Sequence, residues 1–162
     1  MSNLLPTPYQ QFIAKSRYAR WLESEGRREN WSETVERYME HVVGLSVGPE
    51  TATQLAAAIL DREVMPSMRA MMSAGPALNR DNTSGYNCSY LPVDDPKSFD
   101  ESMFILLCGT GVGFSVERQY IQKLPEVPEL FESETTIIVK DSKEGWAKAF
   151  RQLLALLWAG EI

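Results

Sequence analysis

Tyr86-Asn87-Cys88-Ser89-Tyr90-Leu91-Pro92 opens the stretch whose pattern decides the fold, and Gly109-Thr110-Gly111-Val112-Gly113-Phe114-Ser115-Val116-Glu117 closes it. The first segment alternates faces as a strand does, after the turn chemistry of Asp81-Asn82-Thr83-Ser84-Gly85. In the second, Val112, Phe114 and Val116 alternate with small or polar residues in the same way. Between them, Ser98 and Glu101 have the spacing of a capping box, where two side chains satisfy two orphan amides reciprocally. The apolar helix it opens, Met103 to Cys108, stops at Gly109. Strand, helix and strand in that order point to an α/β architecture.

Upstream, the first sixty residues read as helical. Tyr9, Phe12, Ile13, Trp21 and Leu22 fall largely on one face, and Val35, Tyr38, Met39, Val42 and Val43 repeat that spacing after a cap at Asn30 or Ser32. Pro49 and Glu50 open a third helix through Leu55 to Ile59. Arg17, Arg20, Arg27, Arg28 and Arg37 interleave with Glu23, Glu25, Glu29, Glu33 and Glu36, which reads as a solvated, ion-paired face. From Met65 to Pro76 the chain is short, apolar and punctuated, more strand or turn than long helix. The expected division is a helical segment over 1–63 and an α/β part over 64–162.

Downstream, residues 121–134 are acid-rich with two prolines and read as a surface loop. Thr135 to Lys140 reads as a β-branched strand, and Asp141 with Glu144 as the cap of a final helix whose Trp146, Phe150, Leu153, Leu154 and Leu157 share a face. Three or four strands make a small sheet with an unpaired edge, and that last face has no chain to cover it. Such surfaces are normally covered, so a partner polypeptide is expected.

Composition narrows the chemistry. Sixteen basic against 22 acidic residues give a net charge of -6, which argues against a protein that tracks a nucleic-acid backbone. No run approaches a membrane span, and MSNLLPTPYQQ lacks the layout of a signal peptide, so a cytoplasmic protein that engages no membrane is expected. Two cysteines and one histidine are too few for a disulfide framework or a soft-ligand metal site. His41 has no neighbouring nucleophile and reads as structural. Cys108 closes an apolar run and reads as a small buried hydrophobe, whereas Cys88, between Asn87 and Ser89, is equally a core residue or a tuned thiol. Gly109, Gly111 and Gly113 lack dinucleotide-loop and Walker-loop spacing; they permit either close backbone approach to a ligand, with a hydroxyl from Thr110, or tight packing. The cluster Met65, Met68, Met71 and Met72 reads as adaptable core.

Taken together, MPSMRAMMSAG (65–75), RDNTSGYNCSYLPVDDPKSFDE (80–101), LLCGTGVGFSVERQY (106–120) and VKDSKEGWAKA (139–149) closely resemble the N-terminal part of adenosylcobalamin-dependent (class II) ribonucleotide reductases of the monomeric ribonucleoside-triphosphate type. KSRYARWLESEGRRENWSETVERY (15–38) also looks like that family's opening segment. The resemblance implies the helical start and first strands of a ten-stranded α/β barrel completed by a second chain. It also implies thiyl-radical reduction of ribonucleotides to 2′-deoxyribonucleotides, with a redox cysteine pair and adenosylcobalamin bound mainly by the partner. By motif, Cys88 matches the first member of the reducing pair, Ser67 and Asn87 match ribose contacts, and Thr110 and Gly111 match backbone groups lining the same pocket. Cys108 matches no catalytic position.

Full-length members continue several hundred residues past the position matching Ile162, through the thiyl-radical cysteine and the second reducing cysteine. The expectation is therefore the N-terminal subunit of a split enzyme, although a truncated chain would read the same. Its implied partners are the C-terminal subunit, a ribonucleotide, a deoxynucleotide effector and a thioredoxin-like or dithiol reductant. A non-catalytic nucleotide-binding or regulatory subunit and a pure scaffold are the alternatives.

Overall fold

The computed structural model describes residues 5–44 and 46–162, which form two compact units, Met1–Tyr86 and Asn87–Ile162. Any helical expectation for residues 1–4 and Leu45, and the start of the segment weighed as a signal peptide, lie outside the described residues.

The first unit is mostly helical. Helix α1 (Pro8–Ile13) is capped by Thr7 and runs on as a π-helical turn through Tyr18. The chain then makes a short hairpin, β1 (Trp21–Leu22) against β2 (Arg27–Arg28), turning at Gly26 with φ 63°. This corrects the expectation that Trp21 and Leu22 continue a helix. Asn30 caps α2 (Trp31–Tyr38) in a full capping box: its Oδ1 accepts the Glu33 amide at 3.0 Å, and its own amide donates to Glu33 Oε2 at 2.7 Å. A π-helical turn follows, Met39–Val43, carrying His41, whose Nδ1 lies 3.3 Å from Asn79 Nδ2. Helix α3 (Pro49–Leu60) begins on Pro49 as expected.

Residues 65–76 form no strand. Met68–Ser73 is a short helix, α4, followed after Gly75 (φ 114°, a conformation that favours glycine) by α5, Pro76–Arg80. Met71 is fully buried with Leu5, Trp31, Val35 and Ile59, and the Tyr18 ring meets Trp31 edge-on at 6.0 Å. Met65 and Met68 are exposed, so the methionine cluster is only partly core. The charged run is corrected as well. Arg27 pairs with Glu25 and Glu33 at the surface, but Glu29 is buried inside the unit and paired with a mostly covered Arg37.

The second unit is a strand-helix-strand element. β3 (Cys88–Pro92) and β4 (Gly111–Ser115) pair in parallel, from Cys88↔Gly111 to Pro92↔Ser115, with α6 (Lys97–Leu107) as the crossover. The expected capping box is absent. Pro96 already has helical dihedrals, so Ser98 sits inside the first turn and donates to the Pro92 carbonyl, while Asp95 Oδ1 accepts the Lys97 amide. A single turn, α7 (Arg118–Ile121), leads into the acid-rich loop.

Residues 135–140 are not a strand among the described residues; they have no neighbour to pair with, and Ile138 is 87% exposed. Phe131 instead makes a parallel bridge to Glu161. Ser142, rather than Asp141, caps α8 (Lys143–Ala159) by accepting the Gly145 amide. α8 lies against α6 through Ala147, the Phe99–Trp158 ring pair and the Asp100–Arg151 ion pair, which leaves Trp146 and Leu153 of the expected apolar face exposed. No helix among the described residues is long and apolar enough to cross a membrane.

Candidate active site

Cys88 begins β3 as an exposed, free thiol. Its rung partner is Gly111, whose amide donates to the Asn87 carbonyl at 2.9 Å, while Ser89 Oγ donates to the Gly111 carbonyl at 3.1 Å. Strand residues two apart share a face, and paired residues point the same way. Cys88 and Tyr90 therefore stand on the same face as Gly111 and Gly113, so at those two positions the strand beside the thiol carries no side chain on that face. The glycines are not there for their dihedrals. A Cβ at Gly111 meets only Asn87 O, at 3.5 Å, and one at Gly113 only atoms beyond 3.6 Å, all ordinary contacts. Gly109 differs: it sits at φ 83°, ends α6 and turns the chain into β4.

Thr110 lies between that turn and the strand, 1% exposed, with its amide donating to the Ile105 carbonyl at 3.2 Å. Its hydroxyl and its backbone are both enclosed, and its amide is committed to Ile105, so in this chain Thr110 sets the path into β4 from within. Asn87, just before the strand, is exposed. Ser67 belongs to the first unit, at the amino end of α4; its side chain is exposed and accepts the Ala70 amide only at 3.5 Å, so its hydroxyl is loosely committed. The structure thus brings Asn87, Cys88, Thr110 and Gly111 together where two adjacent strands begin, with Ser67 placed by a separate unit.

Cys108 ends α6 half-buried and accepts a hydrogen bond from Lys143 Nζ at 3.2 Å; the same ammonium lies 5.1 Å from the Phe104 ring centroid. That placement agrees with packing rather than exposure to substrate. The lysine contact was not legible in the sequence, since 35 residues separate the partners. Tyr90, two residues on from Cys88, is exposed on the same strand face, a placement that the even spacing implies. Among the described residues no three His, Cys, Asp or Glu side chains cluster as metal ligands.

Residues 5–75 match the family model described as the ribonucleotide reductase alpha domain. Curated relatives include the adenosylcobalamin-dependent ribonucleoside-triphosphate reductases of Lactobacillus delbrueckii subsp. bulgaricus (27% identical, covering 82% of this chain) and Lactobacillus acidophilus (28%, covering 80%). In both cases the match spans 22% of the relative, so the chain corresponds to about a fifth of these enzymes. In fold, 92% of the chain superposes on 30% of a crystal structure of a B-12 dependent (class II) ribonucleotide reductase, with a TM-score of 0.75 and 25% identity. In family model, curated relatives and fold alike, the chain is similar to the adenosylcobalamin-dependent (class II) ribonucleotide reductases, and its partial coverage of them fits an N-terminal piece.

Proposed function

We propose that this chain is the N-terminal subunit of a split class II ribonucleotide reductase, in which residues 1–63 form a helical opening segment and residues 64–162 the first part of a barrel completed by a second chain. The observation that carries the reading is an exposed thiol, Cys88, at the first rung of a strand pair whose adjacent face is cleared by Gly111 and Gly113. Open strand edges and exposed Tyr90 and Phe114 support a partner that continues the sheet.

In this reading Cys88 and a second cysteine of the partner each give one electron and one proton to the ribonucleotide. The 2′-hydroxyl leaves as water, hydrogen takes its place, and the two sulfurs join as a disulfide that an external dithiol or thioredoxin-like protein reduces again. Ser67 and Asn87 hold the ribose hydroxyls, and the backbone at Gly111, set from within by Thr110, lines the pocket. When bound, mainly by the partner, adenosylcobalamin supplies the radical that starts turnover. The residues this chain brings are a thiol and sugar contacts, and cobalt's equatorial ligands belong to the corrin ring itself. The substrate is a ribonucleoside triphosphate, a deoxynucleotide acts as effector, and the protein works in the cytoplasm.

The test is reconstitution with the partner chain, adenosylcobalamin, a dithiol and a ribonucleoside triphosphate. Cys88→Ser is expected to abolish multiple turnover while Cys108→Ser retains it. Repeated turnover by Cys88→Ser at the wild-type rate favours a non-catalytic nucleotide-binding subunit instead.

A further inference from the structure

The Arg37 guanidinium has five N–H donors, and each has an acceptor. Nε donates to Glu29 Oε1 at 2.8 Å, and Nη2 to Glu29 Oε2 at 2.9 Å and the Tyr18 carbonyl at 3.0 Å. Nη1 donates to the carbonyls of Met71 at 2.7 Å and Ala74 at 2.9 Å. Glu29 is buried beneath it, and its Oε2 also accepts the Arg20 amide and the Thr34 hydroxyl, both at 3.0 Å. Arg20 adds a sixth contact from Nη2 to the Met72 carbonyl at 2.9 Å. The three carbonyls lie at the carboxyl end of α4, where a helix leaves its C=O groups without partners of its own.

We infer that Glu29, Arg37 and Arg20 are positioning residues that clamp the carboxyl end of α4 and so fix Ser67 at its amino end. This rests on the ribose-contact reading of Ser67 above. A six-residue helix is about 9 Å long and too short to hold itself in water. Its internal bonds, Met71 amide to Ser67 carbonyl at 3.0 Å and Ala74 amide to Ala70 carbonyl at 2.9 Å, run from the clamped end back to Ser67. The loose Ser67 cap does little to anchor that end, so its position follows the clamp.

Arg37→Lys keeps the charge but cannot reproduce the planar fork. In the full chain, hydrogen exchange at the Met71 and Ala74 amides should rise about tenfold in this variant, with α3 amides unchanged. Unaltered α4 exchange overturns the clamp, and so does an equal rise in every helix of the unit, which marks general stability only. In the reconstituted reductase, Arg37→Lys should raise KM for adenosine triphosphate about fivefold with kcat within about twofold, and adding Ser67→Ala should raise it no further than Ser67→Ala alone. Independent, multiplying effects overturn the link to Ser67. The exchange arm needs no turnover, so it reports on the clamp even if Cys88→Ser proves fully active and the redox reading fails.

Discussion

Gly111 stands directly across the ladder from Cys88, and its backbone leaves room for a methyl group, with Asn87 O 3.5 Å from a Cβ built there. The fold therefore does not require glycine at this position. Gly111→Ala is expected to shift stability by less than about 1 kcal/mol, because the strand tolerates the side chain. In the reconstituted enzyme it should lower kcat/KM about tenfold, because the methyl projects onto the face beside the thiol. Urea denaturation and steady-state kinetics on the same variant separate the two effects; unchanged kcat/KM would remove this face from the substrate pocket.

Gly145 presents the opposite case. A Cβ there runs into the Lys140 carbonyl, a backbone group with little freedom to move away. Gly145→Ala should cost about 1–3 kcal/mol through overpacking at the first turn of α8, read as a lower urea midpoint.

The Asp100 side chain is 4% exposed, beneath a half-exposed Arg151, and takes both arginine contacts on Oδ2, at 2.7 Å from Nε and 2.6 Å from Nη2, while its Oδ1 is buried without a hydrogen-bond partner. Removing the arginine strands a carboxylate away from water. Arg151→Met is expected to destabilise the second unit by about 2–3 kcal/mol, and an Asp100→Asn/Arg151→Met double variant to recover part of that loss. A double-mutant cycle by chemical denaturation checks the pair.

Glu33 gives a pH signature. Its hydrogen bond from Arg27, joined by the Asn30 amide, holds its carboxyl down at about 2, against 4.5 for the free group. A carboxyl depressed on folding stabilises fully above the unfolded value and loses that contribution as pH falls through the folded one, here between about pH 5 and 2. The side chain is 30% exposed, so solvent screening reduces the contribution to about 1 kcal/mol. Glu29 acts in the same direction: burial raises its carboxyl, but Arg37, the Arg20 amide and Thr34 together bring it below the ordinary range. Thermal melts at pH 3 and pH 6 should show a smaller acid loss in Glu33→Gln than in the wild-type chain.

The segments legible in the sequence are those whose signals are local. Pro49, the Asn30 cap and the strands around Cys88 and Gly111 fall where period and punctuation place them, because each is decided by contacts within a few residues. The illegible ones depend on distant partners. Trp21 and Leu22 leave the helical pattern to form a hairpin with Arg27 and Arg28, and Thr135 to Lys140 has strand composition but no adjacent strand in its unit. The charged run misleads for the same reason: nothing local distinguishes Glu29, which is buried beneath Arg37, from Glu25, which is solvated. At the candidate site, Cys88 and Gly111 were readable as motif residues, whereas their facing positions and the enclosure of Thr110 follow only from the register.

The two-stranded parallel pair has a consequence for supply. Among the described residues its outer edges have no further strand beside them, with Tyr90 and Phe114 exposed, and such edges are a template for pairing with another copy of the same chain. In the split-enzyme reading proposed above, chain made in excess of its partner is prone to self-association, so the ratio at which the two are made becomes part of keeping the protein in solution.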